Sequence, residues 1–268
     1  MNSRIPEDTL SLSRNSSPNI AEDSSKRTSV DFISRYVNLL AKITDAPEEF
    51  QEAAALFLLS IAVGLKWVFQ SLPDTAIFSG ENGITGKLLN LWFIIIGKSR
   101  ITRKSSGVMR HVEEIVKKVF GEQLLISEAF TPEALIKEMS EKSVPSAIHG
   151  FETPCCWISD EIAWFFQHLR KRESYMASAD AFLSKIYDGR TYDRGTIQRG
   201  KENIENPYFA CFLASTDVLP TLFNELQIQL GFMNRFIYII GERKRRKPLR
   251  TQPLTLEETK EVHEIEDF

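Results

Sequence analysis

The segment from Leu88 to Ile96, Leu-Leu-Asn-Leu-Trp-Phe-Ile-Ile-Ile, is an almost unbroken apolar run that ends at Gly97. A strand with apolar residues at consecutive positions has no face to offer to water, so it reads as a strand of a parallel sheet covered on both sides. Downstream the pattern alternates: helix 103–119, strand 122–127, helix 131–141, strand 153–159, helices 161–170 and 174–187, and strand 208–215. That rhythm predicts a doubly wound α/β sheet. Thr131-Pro132-Glu133 marks one helix start, with a hydroxyl for the N-cap and proline at the first helical position.

Upstream of the sheet the sequence changes character twice. Residues 1–29 hold eight serines, two prolines and no glycine, with too little apolar surface to offset the entropy of ordering, so a disordered tail is expected. From Val30 the residues Phe32, Ile33, Tyr36, Val37, Leu39 and Leu40 recur at helical spacing, and a second helix is predicted from Pro47 through the Ala53–Val63 stretch. Lys66–Gln70 and Thr75–Phe78, before the turn-like Ser79-Gly80-Glu81-Asn82-Gly83, read as strands of an antiparallel flap. The expected organisation is a tail (1–29), helices and flap packed on the core (30–86), the α/β core (87–242), and a basic segment with the start of a helix (243–268). Thr255-x-x-Glu258 has a capping-box pattern, so the last residues read as the first turns of a helix.

Composition narrows the function classes. With 33 Lys and Arg against 36 Asp and Glu, the formal charge is −3, so no whole-molecule basic field advertises nucleic acid. The longest apolar run, Ala53–Leu65, is 13 residues, short of the roughly 18 of a membrane span. No secretory signal opens the sequence, and a cytoplasmic location is expected. Cys155 and Cys156 are adjacent and leave Cys211 odd, which excludes a disulfide framework; no C-x-x-C pair and four scattered histidines exclude a zinc site.

The strand runs into Gly97-Lys98-Ser99-Arg100-Ile101-Thr102-Arg103-Lys104-Ser105-Ser106, a cation-rich loop followed by a helix. This is the layout of a phosphate cradle. In the pattern G-x-x-x-x-G-K-[ST], loop amides surround the phosphates, Lys reaches the β and γ groups, and the hydroxyl holds magnesium. Lys104 and Ser105 fit the last two roles. Six residues rather than five separate Gly97 from Lys104, and Thr102 and Arg103 stand where the second glycine would be. The Gly97-Lys98-Ser99 triplet does not fit, since it would put the first glycine at Trp92 inside the strand. A plain strand-to-helix loop with solvated cations is the alternative.

Asp160 follows Lys104 by 56 positions, at the end of the apolar stretch Cys155-Cys156-Trp157-Ile158-Ser159 and ahead of Glu161. An Asp-Glu pair at a strand tip suits a magnesium-holding Asp160 and a water-polarising Glu161, or else a helix N-terminus. The strand Tyr208–Ala214 ends in Ser215-Thr216-Asp217, where Thr216 is a candidate sensor of the γ-phosphate or a helix cap. Arg235 is a candidate finger reaching a neighbouring subunit's nucleotide, or a surface ion-pair partner. Arg243-Lys244-Arg245-Arg246-Lys247 with Arg250 puts six cations in eight residues, a candidate DNA-backbone contact or a solvated run.

Taken together, these segments resemble a family of P-loop proteins of phage, plasmids and integrated elements, often fused or adjacent to primases. The carrying pieces are Gly97 with Arg103-Lys104-Ser105, Phe130-Thr131-Pro132-Glu133-Ala134-Leu135, Ile158-Ser159-Asp160-Glu161, Tyr187-Asp188-Gly189-Arg190, Asn206-Pro207, and Gly231-Phe232 through Arg235-Phe236. The match spans about residues 30–245. The resemblance implies a RecA- or AAA-like core, ATP and magnesium as ligands, and a helicase-like or primase-associated role in replication of a mobile element. A ring or filament of identical subunits, and a primase as partner, belong to the same expectation. So does the contrary possibility that the loop persists only as an anion pocket in a non-hydrolysing scaffold.

Overall fold

A computed structural model describes residues 28–69, 79–80, 83–84, 89–142, 153–170, 176, 179–196, 200–205, 207–223, 225–242 and 255–266. Helices α1 (Thr28–Ile43) and α2 (Glu48–Phe69) lead, and a minimal antiparallel pair, β1 (Ser79–Gly80) and β2 (Gly83–Ile84), follows. The central sheet is formed by β3 (Trp92–Ile96), β4 (Thr153–Ser159), β7 (Pro207–Ser215) and β8 (Ile237–Ile240). Its order is β4-β7-β3-β8, and every neighbouring pair is parallel. Beyond β4, Leu125 adds a parallel bridge to Cys156.

Strand periodicity explains the layers. Trp92, Ile94 and Ile96 of β3, with Phe209, Cys211 and Leu213 of β7, enter one core together with residues of α4 (Pro132–Lys142), α5 (Ala163–Leu169) and α6 (Ala179–Tyr187). Phe93 and Ile95, with Tyr208, Ala210, Phe212 and Ala214, enter a second core against α1, α2 and the helix after β3. Successive residues point to opposite faces. All five residues of β3 and all nine of β7 are buried, as a strand covered on both sides requires. At roughly 1.5–3 kcal/mol per large apolar side chain, these strands are the main source of cohesion. Cys155, Cys156 and Cys211 are all buried in the sheet as free thiols.

The α/β class expected from the sequence is therefore present, with a four-stranded parallel core flanked by helices. Several boundaries shift. Lys66–Phe69, expected as flap strand, continues α2, and Gly64 within that helix is a contact point: a Cβ there would lie 2.5 Å from the Tyr208 ring. The strand expected over 122–127 is a 3₁₀ turn, Glu122–Leu124, with Leu125 bridging β4. An unexpected antiparallel hairpin, β5 (Tyr192–Thr196) with β6 (Gly200–Ile204), lies between α6 and β7. Thr131 caps α4 as expected, its Oγ1 accepting the Ala134 N–H at 3.1 Å. The short α7 (Glu225–Gln229) precedes β8, and α8 (Leu256–Glu266) ends the described chain. The serine-rich tail up to residue 27, Thr75–Phe78 and Arg243–Arg250 lie outside the described residues.

No helix among the described residues is long and apolar enough to cross a membrane. Tyr208 is buried and held at its hydroxyl, whose single proton is shared between the Ser60 and Leu89 carbonyls at 2.9 and 3.2 Å. Gly64→Ala should therefore lower stability by about 1–3 kcal/mol through overpacking against an immovable ring. A denaturant midpoint equal to that of the parent protein would show that the ring yields.

Candidate functional site

Parallel strands place their carboxyl ends on one edge of the sheet, and ligands of open α/β sheets bind at that edge. Register brings three tips together there. Ile96 is paired with Ser215, while Ser159 lies opposite Leu213, so Asp160 and Glu161 follow at the level of the β7 tip. The Gly97 N–H donates to Ser215 O at 3.3 Å and the Ile162 N–H to Ala214 O at 2.9 Å, tying the loop and the acidic tip to the same central strand.

Lys104 reaches this edge from the loop. It is buried, at 7% exposure, and its Nζ donates to the carbonyl of Gly97. Burial lowers its pKa, opposed by the negative charges of Glu161, Asp217 and Asp160 in that order. The ammonium and both expected acids thus share one electrostatic neighbourhood. Asp217 joins them, although the sequence singled out only the hydroxyls of its tripeptide.

Glu161 is held rather than free. One carboxylate oxygen accepts the Ala163 N–H at 3.1 Å and the Ser215 hydroxyl at 3.2 Å. It therefore binds the first amide of α5, which begins at Ala163, as the helix N-terminus reading of the Asp-Glu pair expects. Ser215 supplies the contact from β7, with Thr216 half-buried beside it.

The loop backbone shows how the extra residue is accommodated. The Ile101 and Thr102 N–H groups both donate to Lys98 O, at 3.2 and 3.3 Å. Thr102 folds over Gly97, where a Cβ would meet its Oγ1 at 2.6 Å. Arg103, at the place of the missing glycine, takes the left-handed conformation a glycine would favour, φ 48°, and Arg100 does likewise at φ 62°. The Arg103 side chain turns away to Asp45, Nε to Oδ1 at 2.9 Å. Lys98, Ser99 and Arg100 are exposed on the loop rim. A single helix follows from three segments, π Ser105–Met109, α3 (Arg110–Ile115) and π Val116–Phe120, and no side chain caps its start. Its first amides therefore lack intrahelical partners. Ser105 and Ser106 are exposed there.

Ser105 and Asp160 also line one end of a cleft of about 460 Å³, whose walls include Arg110, Glu113, Lys117 and Glu128. Glu128 was not singled out by the sequence. Its Oε1 accepts from Ser159 Oγ at 3.2 Å, and its carbonyl accepts from the Trp157 indole at 3.0 Å, which sets this carboxylate beside the acidic tip. The Leu125 bridge to Cys156 brings this segment alongside β4, and a single bridge leaves no sequence period. A hydroxyl, two carboxylates and a cleft are a hard-oxygen donor set suited to magnesium, although no cluster of three or more His, Cys, Asp or Glu with metal-binding geometry occurs among the described residues.

Arg235 is engaged within its own chain, with the carboxylate partner that one of its two readings expects. Its Nη1 donates to Gly231 O at 2.8 Å, its Nη2 lies 3.4 Å from both Asp188 oxygens, and its guanidinium sits 5.4 Å from the Tyr187 ring centre. Phe93 is paired with Ile237, so Arg235 lies at the amino end of the strands, away from Lys104. It ties the end of α6 to the start of β8 within its own chain. Two of the segments behind the family resemblance, Tyr187-Asp188 and Gly231 to Arg235, thus meet as a structural joint.

Comparison with protein-family models finds no matching family, and comparison with curated proteins finds no match.

The lowered pKa of Lys104 fixes the sign of a pH effect. Between its folded-state value and the ordinary 10.5, the unfolded chain binds more protons than the folded one, so raising pH through that window stabilises the fold. Lys104→Met lacks this contribution. The stability of the parent relative to Lys104→Met should rise from pH 8 toward pH 10.5 in urea titrations, and a fall would reverse the assignment.

Proposed function

We propose that the chain binds ATP with magnesium at the carboxyl edge of the sheet and hydrolyses it, as a P-loop ATPase of the class with an additional strand between the loop strand and the acid strand. The observation that carries the reading is the convergence of buried Lys104 with Asp160 and Glu161 across β7. A buried ammonium is costly unless anions face it, and a triphosphate would replace the Gly97 carbonyl as its partner. The strand order, with β7 between β3 and β4, supports the same class.

Each side chain then has a defined task. Lys104 neutralises charge on the β and γ phosphates. Loop amides from Gly97 to Ser106, with the exposed side chains of Lys98 and Arg100, surround the phosphates. Ser105 and Asp160 would hold the magnesium ion, which when bound neutralises developing phosphate charge. Glu161, fixed by Ser215 and the α5 amide, orients the attacking water, and Thr216 stands where it can sense the γ-phosphate. Glu128 adds a second carboxylate beside the acidic tip.

Work on DNA in the replication of a mobile element, as a helicase-like or primase-associated motor in a ring or filament, is the setting the family resemblance suggests. The basic run Arg243–Arg250 is its DNA-contact candidate. One observation favours the non-hydrolysing scaffold instead: Lys98 O already engages two loop amides, and Thr102 closes over Gly97.

Calorimetry with magnesium and ATP separates the two readings. Heat on titration, and thermal stabilisation at millimolar nucleotide, are expected because a ligand of the folded state must raise its stability. Lys104→Ala should lose binding and turnover. Glu161→Gln should bind ATP with turnover down on the order of 100-fold or more. Absence of binding by the parent protein would leave the scaffold reading in place. For DNA, neutralising the six cations should weaken binding and flatten its dependence on salt; an unchanged salt slope would remove the run from the interface.

A further inference from the structure

The corner between α1 and α2 touches the phosphate loop at two points. Asp45 presents a carboxylate whose side chain is 4% exposed, and Arg103 Nε approaches it at 2.9 Å. One turn further along, Gly107 sits so close to this corner that a Cβ would lie 2.4 Å from Thr44 Oγ1 and 3.2 Å from the Ala46 Cβ. The Gly107 N–H in turn donates to Arg103 O at 2.8 Å. The corner is stiff in its own right. Thr44 Oγ1 accepts the Ala46 N–H at 3.2 Å, and the buried Gln51 amide donates to Ala46 O at 3.0 Å.

Arg103 carries two constraints at once. Its backbone is left-handed, at φ 48°, a conformation unfavourable for a non-glycine residue that persists only when its surroundings fix it. Its side chain is the cation facing a buried anion. Lys104 and Ser105 are the next two residues, so the direction in which they leave the loop depends on how Arg103 is held.

We propose that Asp45 is a positioning residue for the phosphate loop: its buried carboxylate clamps Arg103 and thereby sets where Lys104 and Ser105 stand. The inference deepens the nucleotide reading, because the site it positions is the one proposed above. It also makes the α1–α2 hairpin a working part of that site. A loop lengthened by one residue and lacking its second glycine loses the backbone freedom that the ordinary cradle uses, and an ion pair from outside the sheet supplies a fixed point in its place.

The test is hydrogen exchange of the full chain without nucleotide, which reports loop order whether or not ATP binds. In Asp45→Asn, amides 98–106 should exchange on the order of tenfold faster, while the β3 and β7 amides change much less. Asp45→Glu should restore part of the protection. If Asp45→Asn unfolds, the double variant Asp45→Asn/Arg103→Gly keeps the experiment decisive. It has no unpaired buried charge and a residue suited to φ 48°, so it should fold, yet its loop amides should remain fast. In nucleotide titrations, both variants should bind magnesium-ATP on the order of tenfold more weakly than the parent. Parent-like loop exchange in either variant would overturn the proposal, as would equal acceleration of loop and sheet in Asp45→Asn. A parent protein that binds no ATP, but whose loop loosens in Asp45→Asn, would retain the clamp and remove the nucleotide reading alone.

Discussion

A cation buried at the edge of a parallel sheet is the constraint on which the rest of the architecture turns. The Lys104 ammonium is desolvated, so its charged form survives only where negative groups gather around it, and Glu161, Asp217 and Asp160 do so. These carboxylates come from two strand tips, and the loop comes from a third. Only a sheet with β7 in the middle brings the three to one place. The register of β7 against both neighbours therefore sets the composition of this edge as well as contributing cohesion.

The same principle accounts for the acidic tip. A glutamate used only as a polar group would move with its rotamers, whereas Glu161 is fixed by a helix amide and a neighbouring hydroxyl. Capping leaves the carboxylate with further acceptor capacity, since its lone pairs outnumber the donors engaged. In the proposed ATPase, a fixed carboxylate near a fixed ammonium would be the preorganisation that charge stabilisation requires.

Much of this was legible from the order of residues. Consecutive apolar positions in β3, β4 and β7 announced strands covered on both faces, and the loop and Asp-Glu tip announced the edge. What remained hidden was long-range. Nothing near Gly64 in sequence announces the Tyr208 ring that occupies the space of its missing side chain. Arg235 reads as a finger or as an ion-pair partner because nothing local reveals Asp188 or Tyr187, 47 and 48 residues earlier. Glu128 owes its place to a one-residue bridge and to contacts from Trp157 and Ser159, and Arg103 to a carboxylate 58 positions upstream. Charge and period describe elements well, but they do not say which two elements will touch.

The three cysteines illustrate how completely the sheet governs its contents. Burial pushes the Cys155 thiol up to about 12, and pushes Cys156 and Cys211 upward as well, so the reactive thiolate is scarce at neutral pH. Inside the sheet these sulfurs behave as small apolar fillers. The native protein is in consequence silent toward thiolate-directed reagents while folded. A single cysteine engineered onto the exposed loop rim would carry a fluorophore or spin label selectively, with all three natural cysteines left in place.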